Sequence, residues 1–376
     1  MQSSGDEVEV LLRESAVGFL GAEHSLDRLR RLRAEPDGCD RLVWKKMAEL
    51  GWLGLRLPER LGGAGLGLKH AAGLAQVLGS GCVPEPFVFS GLMPSVVLDA
   101  VAETPRVKAL AALLREGGGH VSHAWQDGIN DIERRFQGTL ARRRGGSLKL
   151  RGSKLFVPMP SAVFLLSARL DGAPVIIAVP SESAGVAVTS CRMADGGICA
   201  DIGFDDTVVE SDAILAEGIA AENAIRLAIA EGTVALSAQL CGLAEQALSI
   251  TLKYLCDRVQ FDRPIGSFQA LQHRAVDLRI GTDLAGASWR NAVRLLERER
   301  RPHLVENAVN AAKARCSEVA LKVCRDAIQL HGAIGYTDEA AIGLYLKMAL
   351  RLASSLGNAA AHRRHFAITT RGSKTA

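Results

Sequence analysis

From residue 219 onward the chain carries four long stretches of helical periodicity, and this run of helices constrains the fold more than any other feature. In the first stretch Leu236, Leu240, Leu243, Ala247, Ile250 and Tyr254 recur at alternating spacings of four and three, which puts them on one face of a helix. The run Asp262-Arg263-Pro264-Ile265-Gly266 breaks that helix, and a second is expected over about 267–300. Pro302 separates it from a third over about 304–331, and residues 332–335 separate the third from a fourth over about 338–369. Long amphipathic helices with short joints pack as antiparallel neighbours, so the pattern predicts a C-terminal four-helix bundle.

Two other textures precede it. Residues 7–115 read as helices broken by glycine-rich joints. Leu42, Val43, Met47 and Leu50 recur at helical spacing up to Gly51. The run Leu57-Pro58-Glu59-Arg60-Leu61-Gly62-Gly63-Ala64-Gly65 that follows cannot sustain a helix. Residues 116–218 change character. Short β-prone runs at 136–141, 148–157, 163–168, 175–179, 186–188 and 202–204 alternate with glycine turns, the pattern of a small barrel or sandwich. The expectation is an α+β chain with a helical domain (1–115), a middle β domain (116–218) and a helical bundle (219–376).

Bulk properties exclude several functions. A net charge of +4 over 376 residues is too small for a dedicated nucleic-acid binder. The clusters Arg142, Arg143, Arg144 and Arg363, Arg364 read as solvated faces. No stretch has the roughly 20 uninterrupted apolar residues of a membrane helix. The first residues lack a basic and an apolar leader region. The eight cysteines form no C-x-x-C and follow no zinc spacing. They are expected as free thiols in the reducing cytoplasm, with neither nucleic acid nor membrane as partner.

Few residues announce chemistry. The Gly62-Gly63-Ala64-Gly65 run lacks the strand and lysine of a phosphate loop and reads as a turn. His120 and His123 lack a second pair of ligands and read as part of a β-domain loop. No G-x-S-x-G marks a serine hydrolase. Two segments differ because they place polar groups at joints of an apolar bundle: Arg258-Val259-Gln260-Phe261-Asp262-Arg263-Pro264-Ile265-Gly266-Ser267-Phe268-Gln269, and Gln329-Leu330-His331-Gly332-Ala333-Ile334-Gly335-Tyr336. Arginine, amides and helix-end backbone N–H groups together suit an anionic, aromatic cofactor. The plainer reading makes Arg258 a partner of the helix dipole and Gln329 a satisfied interior amide.

In this order the segments resemble the acyl-CoA dehydrogenase family over nearly the whole chain. Leu50-Gly51-Trp52-Leu53-Gly54-Leu55, followed by Pro58 to Gly65, is similar to that family's first signature. The Arg258 segment resembles its R-x-x-F-G-x-x-I-x-x-F-Q pattern, with Asp262 where glycine is usual. The Gln329 segment resembles Q-x-H-G-G-x-G-Y, with Ala333 for the second glycine. The resemblance implies the family's α–β–α fold, FAD as cofactor, an acyl-CoA substrate oxidised at Cα–Cβ, an electron-transfer flavoprotein as acceptor, and a homo- or hetero-tetramer. It implies that Arg258, Gln260, Phe261, Phe268 and Gln269 touch FAD. Gln329, Leu330, His331, Gly332 and Ala333 would reach the adenosine diphosphate of a neighbouring subunit's flavin. The reaction it implies needs a carboxylate to take the Cα proton while the flavin accepts the Cβ hydride.

Three places depart from the family pattern. Its Y-E-G-T run falls on Ser355-Leu356-Gly357-Asn358, which puts Leu356 where the acid belongs. The family's second location for a base falls at Glu231 or its neighbour Gly232, so Glu231 is the candidate catalytic base. Its plainer reading is an acid near a helix N-terminus. The T-E-P-x-A-G-S and W-I-T-N runs become residues 124–130 and 155–160, the latter with Pro158 and Pro160. These losses resemble the small-subunit branch of heteromeric bacterial enzymes. Three readings therefore stand: an active dehydrogenase subunit with Glu231 as base, a non-catalytic subunit completing a partner's FAD site, and a flavin oxidase or monooxygenase on the same fold.

Overall fold

A computed structural model describes residues 3–23, 25–129 and 138–372. Six helices come first: α1 (Ser3–Glu23), α2 (Leu26–Leu32), α3 (Arg41–Glu49), α4 (Leu68–Ser80), α5 (Met93–Ala100) and α6 (Pro105–Arg115). Eight strands follow: β1 (Val121–Ala124), β2 (Thr139–Arg144), β3 (Ser147–Met159), β4 (Val163–Leu170), β5 (Ala173–Pro180), β6 (Val186–Arg192), β7 (Ile198–Glu210) and β8 (Ile214–Glu217). The chain then returns to helix with α7 (Gly218–Asp257), a hairpin of β9 (Val259–Gln260) and β10 (Arg263–Pro264), α8 (Gln269–Arg298), α9 (Pro302–His331), α10 (Ile342–Ser354) and α11 (Ala359–Gly372). The α–β–α order read from the sequence is the order observed.

Packing divides the chain differently from element type. One compact unit holds residues 1–31, 68–83 and 233–376, and the other holds 32–67 and 84–232. In the first, α4 lies against α7 at two glycines. A Cβ on Gly242 would stand 1.9 Å from the Gln76 carbonyl oxygen, and one on Gly79 would stand 2.0 Å from that of Gln239. Only glycine permits backbones this close. The contact is reinforced by Gln76 Nε2 donating to Glu245 (2.8 Å), and Tyr345 Oη on α10 donates to Ser80 O at the end of α4 (2.8 Å).

The fourth helix expected over about 338–369 is two helices, α10 and α11, separated by residues 355–358. The break comes from positive φ at Leu356 (56°) and Gly357 (96°), which no continuing α-helix allows. Helix α7 is long and apolar enough to cross a membrane, but 89% of its apolar window is buried inside the protein. Such a helix is hydrophobic all round because it lies in the core.

In the second unit the strands form one mixed sheet ordered β6-β7-β3-β2-β4-β5-β8, with β1 added parallel to β4. Leu148, Leu150, Phe164, Leu166, Ile177, Val179, Ile202 and Phe204 alternate along the strands and form one buried cluster, as a period of two requires. The four-residue β1 was read as loop. His123 lies on it, its Nε2 2.8 Å from Ser167 Oγ, and His120 just before it stacks on Trp44 at 4.2 Å. Both rings are buried; His120 lies in the loop before β1, as expected, whereas His123 is part of the strand.

Burial pushes His123 down to about 3, with Lys154 adding to the effect, and pushes His120 down to about 4, helped by Arg41. An unfolded histidine titrates near 6.5. Between those values the unfolded chain binds protons that the folded chain refuses, so stability falls as pH drops below about 6.5. Each histidine contributes a slope of about 1.4 kcal/mol per pH unit at full effect. Urea unfolding at stepped pH between 7.5 and 4.5 is expected to show this, and His120→Phe, which keeps the stack on Trp44, to remove one proton's share. An unchanged slope in that variant would contradict the assignment.

Candidate functional site

The C-terminal unit contains a cavity of about 660 Å³ lined by Tyr254, Arg258, Gln260, Ile265, Leu271, Arg274, Gln329, Leu330, His331, Gly332, Ala333 and Ile334. Its walls are the C-terminal end of α7, the β9–β10 hairpin, the start of α8, and the end of α9 with the 3-10 turn Gly332–Tyr336. Seven residues expected at a cofactor site converge here: Arg258, Gln260, Gln329, Leu330, His331, Gly332 and Ala333. Both signature segments line one cavity. The sequence reading had set only the second against a neighbouring subunit's flavin.

Local chemistry explains the shape. Arg258 N donates to Tyr254 O (2.9 Å), closing the last turn of α7, and Ile265 N donates to Arg258 O (2.8 Å) across the hairpin mouth. The hairpin pairs Gln260 with Arg263, leaving a two-residue turn in which Phe261 (φ 55°) and Asp262 (φ 61°) are both left-handed. That is the geometry of a type I′ turn, in which the second position favours glycine, and Asp tolerates it better than most residues. At the other wall, His331 Nδ1 donates to Ala327 O (2.7 Å), which leaves Nε2 as the ring's acceptor. The ring stacks on Tyr254 at 4.4 Å, joining the ends of α7 and α9. A Cβ on Gly335 would meet Ile328 O at 2.6 Å, so the turn after α9 folds tightly back on the helix.

Three expected contacts lie outside this cavity. Phe261 is 86% exposed at the hairpin turn and meets Phe268 edge-on at 6.2 Å. Phe268 carries the Arg263 guanidinium over its ring at 4.1 Å. Gln269 is exposed at the first turn of α8. Conversely, Tyr254, Ile265, Leu271, Arg274 and Ile334 line the cavity without having been singled out as cofactor contacts. Tyr254 stands one turn before Arg258, a spacing that could have flagged it. Arg274 is held by Asp326 (2.8 Å), which also pairs with Lys322 (2.8 Å). Burial opposes ionisation of Asp326, but the hydrogen bonds from Lys322 and Arg274 outweigh it and hold the carboxyl below its usual range.

The cavity suits an anionic cofactor. The Arg258 guanidinium is exposed at its wall with no ion-pair partner among the described residues, and the Gln329 amide is exposed there with no hydrogen-bond partner. A cation, amides and the stacked Tyr254 and His331 rings beside apolar Leu271 and Leu330 match the polar and flat parts of a dinucleotide. Among the described residues, no cluster of His, Cys, Asp and Glu could hold a metal ion.

Both candidate places for a base have distinctive surroundings. Glu231 is 3% exposed and lies fourteen residues into α7, not near a helix N-terminus. Arg56 Nε donates to its Oε2 (3.0 Å) and Nη2 to its Oε1 (2.9 Å). The same guanidinium reaches Asp99 Oδ2 (3.0 Å), whose Oδ1 and carbonyl also accept from Arg60 (3.1 and 2.7 Å). Burial pulls Arg56 down, but its bonds to Glu231 and Asp99 prevail and raise it. At the other place Leu356 is 6% exposed, and its loop is pinned. Fully buried Lys313 donates from Nζ toward Leu352 O (3.2 Å), Ala353 O (3.0 Å) and Gly357 O (2.9 Å), with Ser317 Oγ at 3.1 Å. His362 Nε2 donates to Leu356 O (2.9 Å), and its Nδ1 lies 2.7 Å from Asn310 Oδ1.

The β-domain runs at 124–130 and 155–160 are also internally satisfied, with Asn130 outside the described residues. Fully buried Lys154 bonds Asp127 Oδ1 (2.5 Å) and Trp125 O (3.3 Å). Gly138 N donates to Asp127 Oδ2 (3.0 Å), and Leu155 N to Gln126 O (2.8 Å). Pro158 pairs with Cys199 of β7, beyond Gly152 where the pairing of β3 with β2 ends, so its missing N–H interrupts no ladder with β2.

Residues 223–368 match the acyl-CoA dehydrogenase C-terminal domain, and residues 6–115 match the acyl-CoA dehydrogenase N-terminal domain. Acyl-CoA dehydrogenase IpdE2 of Mycobacterium tuberculosis is 28% identical over 346 residues, covering 91% of each chain. Among solved structures, a glycine-to-alanine variant of the Tcur3481-Tcur3483 steroid ACAD aligns with a TM-score of 0.87 at 25% identity, over 100% of this chain and 99% of its own. The ChsE4-ChsE5 complex from Mycobacterium tuberculosis aligns with a TM-score of 0.89 at 22% identity, over 97% of each chain.

The turn at residues 261–262 offers a direct check on the site's architecture. Asp262→Gly is expected to raise stability by about 0.5 kcal/mol by relieving a left-handed residue, and Asp262→Val to lower it by about 1 kcal/mol or more. Urea midpoints measure both; equal midpoints for the two variants would contradict the turn geometry.

Proposed function

The chain belongs to the acyl-CoA dehydrogenase family, and from that premise we propose that it completes, through its C-terminal cavity, the FAD site of a related subunit in a heteromeric enzyme. FAD is the cofactor of the family. When bound, it supplies the acceptor for the hydride leaving the acyl Cβ. This chain's part is to bind and orient. Arg258 would neutralise the diphosphate, Gln260 and Gln329 would fix its polar edges, and the Tyr254–His331 stack would give the adenosine half a flat wall. Gly332 and Ala333 would let the backbone approach closely.

The observation that carries the reading is the fork between Arg56 and Glu231. A general base needs a free lone pair within reach of the proton it removes. Both carboxylate oxygens of Glu231 are engaged by one guanidinium in a 3% exposed site, so serving as the base would break a buried bidentate ion pair. At the alternative place Leu356 has no acid to offer, and Lys313 with His362 fixes its loop. The proton-abstracting carboxylate is therefore assigned to the partner subunit, and Glu231 to a structural ion pair. The Lys154–Asp127 pair, which consumes polar groups of the run at 124–130, fits a β domain that does not hold a flavin of its own. The neighbouring ChsE4-ChsE5 structure is a complex of two named chains, which supports unlike subunits here. An acyl-CoA thioester is the substrate of the assembled enzyme on this reading, with an electron-transfer flavoprotein as acceptor.

Two measurements test it. Purified alone, the chain is expected to be colourless. Co-expressed with a related acyl-CoA dehydrogenase subunit, it should yield a yellow complex whose flavin bleaches with acyl-CoA. A stable yellow homotetramer active by itself would refute the proposal. Glu231→Gln is expected to lower stability by about 3 kcal/mol, the scale for breaking a buried ion pair. Turnover per folded complex should stay within about threefold of wild type, because each tenfold loss needs 1.36 kcal/mol of transition-state stabilisation that a remote structural pair does not supply. Loss of bleaching with flavin still bound would instead make Glu231 the base.

A further inference from the structure

The turn Gly332–Tyr336 forms one wall of the cavity yet has few anchors of its own. Ile334 is 43% exposed and Tyr336 77% exposed, so apolar burial does little to hold it. Its start is fixed by the end of α9, where the Gly332 N–H donates to Gln329 O. Its end is fixed locally, with Thr337 N and Oγ1 both donating to Ile334 O (3.0 and 2.8 Å). What holds this end against the rest of the unit comes from the other end of the sequence. Arg30, on α2, donates from Nε to Asp338 O (2.9 Å) and from Nη2 to Glu339 O (3.0 Å). Its remaining nitrogen, Nη1, bonds Asp27 Oδ1 (2.9 Å), one turn earlier on the same helix. The guanidinium is thus oriented from behind by Asp27 and clasps two consecutive carbonyls in front. Hydrogen bonds from a charged donor are stronger than neutral ones, and the planar fork fixes direction as well as distance. Asp338 also meets Lys347 at 3.4 Å; both ties are exposed, but only the Arg30 fork fixes direction on two consecutive carbonyls.

We infer that Arg30 is a positioning residue for the cofactor cavity: by clasping the carbonyls of Asp338 and Glu339 it holds the turn Gly332–Tyr336 at the distance from Arg258 that a dinucleotide diphosphate requires. The inference rests on the reading that residues 329–333 hold the adenosine diphosphate half of FAD, and it adds a residue outside both signature segments. A displaced wall weakens binding without removing any group that touches the ligand.

The experiment uses the full chain with ADP as the probe, followed by ligand-detected NMR, together with hydrogen exchange over residues 332–341. Arg30→Ala is expected to accelerate exchange in that stretch and to weaken ADP binding about tenfold. Arg30→Lys, which keeps the charge but offers no fork, should fall between the two and covers the case in which alanine impairs folding. Arg31→Ala, on an exposed neighbouring side chain, should leave both readouts unchanged. ADP binding to Arg30→Ala and Arg30→Lys as tight as to wild type would overturn the role of Arg30 while leaving the cavity's function standing. Failure of wild-type protein to bind ADP would overturn the cavity reading itself, and with it the role given to Arg30.

Discussion

The stack of His331 on Tyr254 joins two helix ends, and the C-terminal cavity depends on that junction. Helices α7 and α9 both finish here, each with carbonyls that no further turn can satisfy. Arg258 N closes the end of α7 on Tyr254 O, and His331 Nδ1 turns back to Ala327 O. With the two rings 4.4 Å apart and nearly parallel, the ends are held face to face. The polar groups that follow each end, Arg258 and Gln260 on one side and residues 329–333 on the other, then line a common space. Apolar packing supplies the bundle, and the polar chemistry collects where the helices stop.

A second pattern runs through the chain: several cations are committed to partners of their own fold. Lys154 is spent on Asp127 and Trp125, Lys313 on the carbonyls around residues 352–357, and Arg56 on Glu231 and Asp99. Buried cations of this kind persist only when fully partnered, and removing one partner leaves an uncompensated charge. They make these places rigid. An internally partnered Glu231 and an exposed Arg258 at the cavity wall in one chain are what a subunit that binds for a partner's chemistry would need.

The sequence made much of this legible, for identifiable reasons. The cavity segments are contiguous, so the resemblance of each segment to a family signature was enough to single out Arg258, Gln260 and residues 329–333, which the structure brings to one cavity. Phe261 lies outside the cavity because the type I′ turn points its tip into solvent, and Phe268 and Gln269, at the start of α8, are not in its lining. Glu231 was reached by counting back from Arg258 to the place where the family resemblance puts a second base. Its partner Arg56 was not, being 175 residues away. Arg30 was invisible for the same reason, 308 residues from Asp338. The break between α10 and α11 was missed because leucine at positive φ has no sequence signal, and only Gly357 hinted at it. Strand β1 was missed because four residues are too few for a period of two to register.

The most direct test of the shared cavity is the flavin content of the complex with the related subunit. Quantitative FAD release against polypeptide mass should give one flavin per pair of unlike chains, and Arg258→Ala in this chain alone should empty that site. Two flavins per pair, or full flavin retention by the Arg258→Ala complex, would contradict the account.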